Sequence, residues 1–569
     1  MSVVFGGASR PVDAGACADL APAQHWGCRF ARKHLHVATI ALVVTLGIGL
    51  RVRGVLADRS LWSDESALIR NILTRSFAGL LLPLEDDQSA PLAWLWAQKV
   101  LSGLIPDFEL ALRLLPLASG VVALIVFAWF CVRFLRRTDA LFAITALALL
   151  PTYLLYAGEV KQYMTDLLFS AVLMLFAFQA LEGKQWRWHQ ALALAFTGVF
   201  AILFSNPAVF VLGGVGSALF LQSLNEQRHR DALVIAGIAL LWLAVFAALY
   251  VLVYGRQPDA VAAMRGYWQH LFAPVPPLNV KDVFWYYKAL LAPAESALYY
   301  GRIYQPGQVA GSALACLVFL LGACSLARRQ PLQAVVLLLP LVLALSASAL
   351  KAYPFGSRFL MFAAPQILVC IAVGIGQLLR TPGLPRPVAA AVPILLLALP
   401  LGVTAMEYAR ADGKPFETAD SHSAMQTLAA NYRPGDAIYV YSECLPDFRL
   451  QRERYGLADA EVLAGHHAPD ALAYFYYDIE RMRQHRRVWL LYCTHMKRDA
   501  NQVYLNSMEL LLKSYGTQKH ISGDLKRNWS VTLYEFDPEK PSPNPVMFLK
   551  PDYSYAPSHP SLILRNDEN

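Results

Sequence analysis

The sequence predicts a polytopic α-helical membrane protein that carries a C-terminal soluble α/β domain. Three observations predict it. The 569 residues are 56% apolar, 12% aromatic and only 16% charged, far more apolar than a soluble chain of this length. The apolar residues gather into windows of about 20, the length that crosses a bilayer as a helix. From Glu407 the windows stop and a mixed polar sequence of about 160 residues follows, the size of one compact domain.

About eleven spans are expected by this reading, over residues 37–56, 113–134, 138–157, 163–181, 190–204, 207–224, 231–254, 306–326, 331–350, 359–379 and 387–406. The fifth is the shortest. Residues 1–34 end in Arg29-Phe30-Ala31-Arg32-Lys33-His34 and show no apolar core followed by a cleavage site, so the first span is expected to stay as an anchor. The apolar segment Pro91 to Ile105 is left out, because about 15 residues rise only about 22 Å as a helix, against about 30 Å of hydrocarbon. With that omission Arg133/Arg136/Arg137, Lys184/Arg187, Arg228/Arg230, Arg328/Arg329 and Arg380/Arg386 all fall on the side of the basic N-terminal tail. The positive-inside rule then makes 1–34 a cytoplasmic tail and 35–406 the transmembrane domain. Loops 57–112 and 255–305, the turns near Glu159 and Lys351, and domain 407–569 are expected on the periplasmic side. The net charge of +8 is partly this topological signal, and no nucleic-acid partner is inferred from it.

In the C-terminal domain Ala437 to Ser442 and Arg487 to Cys493 read as buried strands, with helices over Asp470 to His485 and Asn501 to Ser514. No glycine-rich phosphate loop follows either strand. Cys444 and Cys493 each follow or end a strand, which leaves open a disulfide or two buried thiols.

The polar residues that could carry chemistry collect in the loops expected outside. Leu61-Trp62-Ser63-Asp64-Glu65-Ser66 sets two acids just beyond the first span, followed by Glu85-Asp86-Asp87. Ser63 suits a helix cap with the acids in its first turn; equally, one carboxylate suits a general base beside an anionic lipid carrier. Tyr156 to Tyr163 brings Glu159, Lys161, Gln162 and Tyr163 together at a membrane exit, as an interfacial belt or as part of a site. Lys351-Ala352-Tyr353-Pro354-Phe355-Gly356-Ser357-Arg358 bends at Pro and Gly between two cations, which suits a phosphate. Arg51 and Arg53 lie in the last turns of the first span, where ionisable groups are functional candidates. The loop 255–305 is dense in aromatics, among them Tyr267, Trp268, Trp285 and Tyr300, with Arg302 beside them, and fits an interfacial helix or a sugar-stacking surface.

Over residues 37 to 406 these motifs resemble the GT-C type membrane glycosyltransferases, specifically the group of protein O-mannosyltransferases and aminoarabinose transferases. The resemblance rests on Leu61-Trp62-Ser63-Asp64-Glu65, on Ala90-Pro91-Leu92, on Leu112-Arg113-Leu114-Leu115-Pro116, on Glu159-Val160-Lys161-Gln162-Tyr163 and on Tyr353 to Arg358. It implies transfer of a sugar from a polyprenyl-phosphate donor, with inversion, to a lipid, polysaccharide or protein acceptor. On that likeness Asp64 is the catalytic base, with Glu65 beside it and Glu159 assisting. Lys161, Arg358, Lys351 and Arg53 are expected to bind donor phosphate, and Gln162, Tyr163, Asp87 and Tyr353 to bind substrate. No cofactor is required by the sequence, and a divalent cation is left open. The rival reading is a transporter or flippase for lipid-linked sugars. Transporters place ionisable groups near the bilayer midplane, whereas the centres 121–130, 235–250 and 335–345 carry no charge.

Overall fold

The structure is a computed structural model that describes residues 22–183, 187–256, 258–299, 308–417, 420–465, 472–493, 512–522 and 529–537. Among these residues nine helical segments are long and apolar enough to cross a membrane: His34–Leu56, Phe108–Phe134, Tyr163–Glu182, Ala208–Asn225, His229–Arg256, Gln308–Arg329, Pro331–Ala349, Ser357–Leu378 and Arg386–Tyr408. The two other expected spans are also helical but differ in form. The segment 190–204 lies in a 17-residue helix, Trp188–Phe204, and 138–157 is two helices rather than one.

In chain order the helices are α1 (Pro22–Leu56), α2 (Ser63–Thr74), α3 (Leu92–Leu104), α4 (Phe108–Phe134), α5 (Arg137–Leu149), α6 (Pro151–Tyr156), α7 (Tyr163–Glu182), α8 (Trp188–Phe204), α9 (Ala208–Asn225) and α10 (His229–Leu252). They continue as α11 (Pro258–Tyr267), α12 (Val280–Leu298), α13 (Gln308–Arg329), α14 (Pro331–Ala349), α15 (Ala364–Leu378) and α16 (Arg386–Tyr408). The expected tail 1–34 is helical from Pro22, continuous with the first span; residues 1–21 lie outside the described part. So do Lys184, Tyr300 and Arg302 of the sequence candidates. Helix α3, with 13 residues, is too short to span, in keeping with its omission.

The division between α5 and α6 falls at Pro151, which lacks an N–H and cannot continue a helix from the preceding residues. The break exposes carbonyls in an apolar surround, where an unmatched polar group is costly. Buried Arg51 of α1 answers them: Nη1 donates to Ala148 O at 2.8 Å and to Gly47 O at 2.9 Å, and Nη2 to Leu147 O at 2.7 Å. The sequence offers Arg51 for chemistry; the structure makes it a clamp.

The remaining elements form the C-terminal domain: α17 (Ser421–Asn431), β1 (Ala437–Val440), α18 (Leu445–Gln451), β2 (Glu461–Ala464), α19 (Leu472–Met482), β3 (Arg487–Cys493), β4 (Gly516–Ser522) and β5 (Trp529–Phe536). The sheet runs β2-β1-β3-β5-β4, with β1 parallel to β2 and β3, and β5 antiparallel to β3 and β4. Tyr439, Phe448, Trp489 and Trp529 fill its core. Cys444 and Cys493 are joined as a disulfide, with Cα atoms 5.6 Å apart. Of the helix expected over Asn501 to Ser514 only residues 512–514 are described, and they are helical.

The domain is seated on α2 and its neighbours. Ser60 N–H donates to Glu417 Oε2 at 3.2 Å, Arg454 pairs with Glu109 at 2.7 Å, His422 Nε2 lies 3.6 Å from the same carboxylate, and Ser66 Oγ–H donates to Asp447 Oδ1 at 2.8 Å. Two groups here titrate abnormally. Burial pushes the Asp447 carboxyl up to about 6, against hydrogen bonds from Ser66 and Gln451. Burial lowers the His422 pKa, but Glu109 outweighs it and the net direction is upward. Both groups therefore hold protons more tightly folded than unfolded, so their stabilisation is full below the unfolded pKa and is lost as pH rises through the folded one. For Asp447, a rise from 3.8 to about 6 at about 1.36 kcal/mol per unit bounds the loss at about 3 kcal/mol. The thermal midpoint of the purified protein should fall between pH 4.5 and 7.5, and Asp447→Asn should flatten that slope; an unchanged slope would remove Asp447 as its source.

Candidate active site

Helix α2 starts one residue earlier than a Ser63 cap would place it. Trp62 is the extended cap residue and Ser63 the first helical one, which puts Asp64 and Glu65 in the first turn beside the free backbone N–H groups. The two acids then part. Glu65, 2% exposed, accepts Trp62 N–H at 3.0 Å through Oε2 and Val160 N–H at 2.7 Å through Oε1. One carboxylate thus closes the helix end and pins the 157–162 loop to it. Leaving those N–H groups unmatched costs about 1–3 kcal/mol each. Glu65→Ala should lower unfolding stability by about 2–4 kcal/mol, and Glu65→Gln by less than half of that, as read from chemical or thermal melts.

Asp64 points the other way, into a cluster drawn from four chain segments. Its Oδ1 lies 3.1 Å from Lys161 Nζ and accepts Gln88 Nε2–H at 3.1 Å; its Oδ2 accepts Arg358 Nη2–H at 3.2 Å. Lys161, 6% exposed, also donates to Gln88 Oε1 at 2.8 Å. Burial alone would raise the Asp64 pKa, but Lys161 and Arg358 overcome it and hold the carboxyl far below the usual carboxylate range. Burial lowers the Lys161 pKa against the pull of Asp64.

Arg358 is delivered by a turn that needs glycine. Gly356 has φ +148°, and a Cβ there would meet Leu271 Cδ2 at 3.2 Å, while Phe355 N–H donates to Leu271 O at 2.9 Å. Its guanidinium lies over the rings of Trp268, Trp62 and Tyr163 at 5.1, 5.7 and 5.7 Å. Ring faces attract a cation without neutralising it, so the charge stays available to an anion. Buried Arg113 braces the floor, donating to Gly158 O at 2.8 Å and Arg59 O at 2.7 Å.

Of the other sequence candidates, Tyr163 is under Arg358, and Glu159, 2% exposed, acts by its charge on both. Gln162 caps α7, its carbonyl accepting Asp166 N–H at 2.9 Å. Tyr353 is one layer back, donating from its hydroxyl to Phe359 O at 2.8 Å and packing edge-on to Phe210. Two expected cations are engaged elsewhere, and a third expected residue is exposed. Lys351 Nζ donates to Ala273 O at 2.6 Å, Arg53 donates to Tyr408 O at 2.9 Å, and Asp87 is an exposed left-handed turn residue with φ 52°. Gln88, beside Asp87, is the one that reaches the cluster. Both Asp64 oxygens face cationic nitrogens, and among the described residues no three His, Cys, Asp or Glu side chains converge as metal ligands.

No protein-family model and no curated protein matches this chain. Among solved structures it is similar to the oligosaccharyltransferase AglB of Archaeoglobus fulgidus, in complex with an inhibitory peptide and a dolichol-phosphate, at 13% identity and a TM-score of 0.47, over 89% of this chain and 74% of that one. It is similar to ArnT of Cupriavidus metallidurans bound to undecaprenyl phosphate at 13% identity and a TM-score of 0.49, over 90% and 99% of the two chains. ArnT in its apo state gives 14% identity and a TM-score of 0.49, over 89% and 98%. At identities this low and TM-scores this modest, the likeness transfers no residue role.

Proposed function

We propose that this protein is a GT-C type glycosyltransferase that moves a sugar from a polyprenyl-phosphate donor to a lipid, polysaccharide or protein acceptor at the periplasmic face of a bacterial inner membrane. The observation that carries the reading is Asp64 held between Lys161 and Arg358 at the loop end of an apolar helical bundle. In the reaction an acceptor oxygen or nitrogen attacks the anomeric carbon from the face opposite the phosphate. Its proton passes to Asp64, the bond from the anomeric carbon to phosphate oxygen breaks, and the electron pair leaves with the polyprenyl phosphate. Inversion follows from that geometry. Lys161 and Arg358 bind the donor phosphate and stabilise the charge that develops on it. Glu159 and Gln162 orient the sugar or acceptor, and Tyr163 with the tryptophan rings walls the cation pocket.

The same arrangement times the base. Without donor, two cations hold Asp64 as a weak base. A phosphate arriving between them shares their charge, so the Asp64 pKa rises when the leaving group is in place, toward the value general-base catalysis needs. The test is transfer of radiolabelled sugar from synthetic polyprenyl-phosphate hexoses and pentoses to envelope lipid, glycan and protein fractions by the purified protein in lipid discs. Transfer from at least one donor is expected. Intact donor crossing vesicle bilayers with no sugar transferred would sink the reading in favour of a flippase.

A further inference from the structure

Resting on that reading, we propose that Asp447 of the C-terminal domain is a positioning residue for the transfer, fixing through Ser66 the helical turn that presents Asp64. Ser66 follows Asp64 by two residues, is fully buried, and donates from Oγ to Asp447 Oδ1 at 2.8 Å across 381 residues of sequence. The same oxygen accepts Gln451 Nε2–H at 2.7 Å, which sets the Asp447 rotamer; Asp447 is 1% exposed.

The first turn of α2 is thereby held on two sides. Glu65 ties it to Val160 in the membrane domain, and Ser66 ties it to α18. Without the second tie the turn is less constrained against rolling about the first, and Asp64, two residues before Ser66, shifts with it against Lys161 and Arg358. The mounting of α18 is itself rigid: its cap residue Cys444 is disulfide-bonded to Cys493 at the end of β3, and Phe448 is fully buried in the domain core. An apolar side chain would fill the Asp447 position without the cost of burying a carboxylate. What an apolar residue cannot do is accept the Ser66 hydrogen bond, and displacements of about 1 Å at a reacting group cost up to about a hundredfold in rate.

The test measures kcat and donor KM for Asp447→Ala, Asp447→Asn, Ser66→Ala and the double alanine variant in lipid discs, per folded enzyme. Asp447→Ala and Ser66→Ala should each lower kcat about tenfold or more with donor KM changed less than about twofold. Asp447→Asn, whose amide oxygen accepts the same bond, should restore at least half of the wild-type kcat. The double variant should be no slower than the slower single, because both remove one bond. If Asp447→Ala does not fold, Ser66→Ala and Asp447→Asn carry the test. A wild-type kcat per folded molecule in the alanine variants, with only the yield or melting temperature lowered, overturns this inference and leaves the transferase reading standing. A wild type that transfers no sugar overturns both.

Discussion

Asp64→Asn should lower kcat by about 10²–10⁴-fold, the range a lost general base accounts for, without raising donor KM. The amide is the same size and still accepts the hydrogen bond from Arg358, but it cannot take the acceptor's proton. Removing the anion also frees Lys161 and Arg358, which Asp64 holds at 3.1 and 3.2 Å, for the donor phosphate. Tighter donor binding with almost no turnover is therefore the signature. Steady-state kinetics and donor binding on the same preparation would read both halves, and turnover at the wild-type rate would remove Asp64 as the base.

Arg358→Ala should lower kcat/KM by about 10²–10³-fold, the loss that follows removal of one well-placed donor to a developing oxyanion. The effect has a second component that only a pH profile separates. Asp64 is held low by two cations; with one gone its pKa rises, so the acid limb of kcat/KM should move up toward the ordinary carboxylate range. Arg358→Lys keeps the charge but loses the flat guanidinium that lies over Trp268, Trp62 and Tyr163. It should fall between wild type and alanine. A kcat/KM unchanged in the alanine variant would take Arg358 out of the donor site.

The sequence makes the charged core of this site legible for a physical reason. Asp64, Lys161 and Arg358 are ions at the ends of apolar spans, where solvation is poor and an ion without a partner or a task is expensive. Arg53 and Lys351 share that signal, yet they serve the carbonyls of Tyr408 and Ala273. From one sequence, a cation that caps a chain end and a cation that faces a buried carboxylate look alike. Gln88 stayed invisible because a neutral amide in a polar loop has no anomaly to notice, and Asp87 beside it drew attention by its charge. Asp64 and Glu65, adjacent in sequence, lie about 100° apart on the helix and so face different partners. The strands β1 and β3 are continuous apolar runs and read as buried strands, whereas β4, Gly-Thr-Gln-Lys-His-Ile-Ser, is a polar edge without that pattern. The eleven apolar windows located helices well, and the one that split did so at Pro151, a residue whose chemistry announces the break.

The bond between Ser66 and Asp447 also sets an order of events during synthesis. The two residues are 381 positions apart, so at about 5–20 residues per second Ser66 is made roughly 20 to 80 s before Asp447 exists to meet it. Throughout that interval the later membrane helices are still being made, and the turn bearing Asp64 lacks its tie to α18. The last domain to emerge completes the first loop to emerge, and on the proposed reading a chain stopped before α18 should keep its membrane helices and transfer sugar more slowly than the full chain.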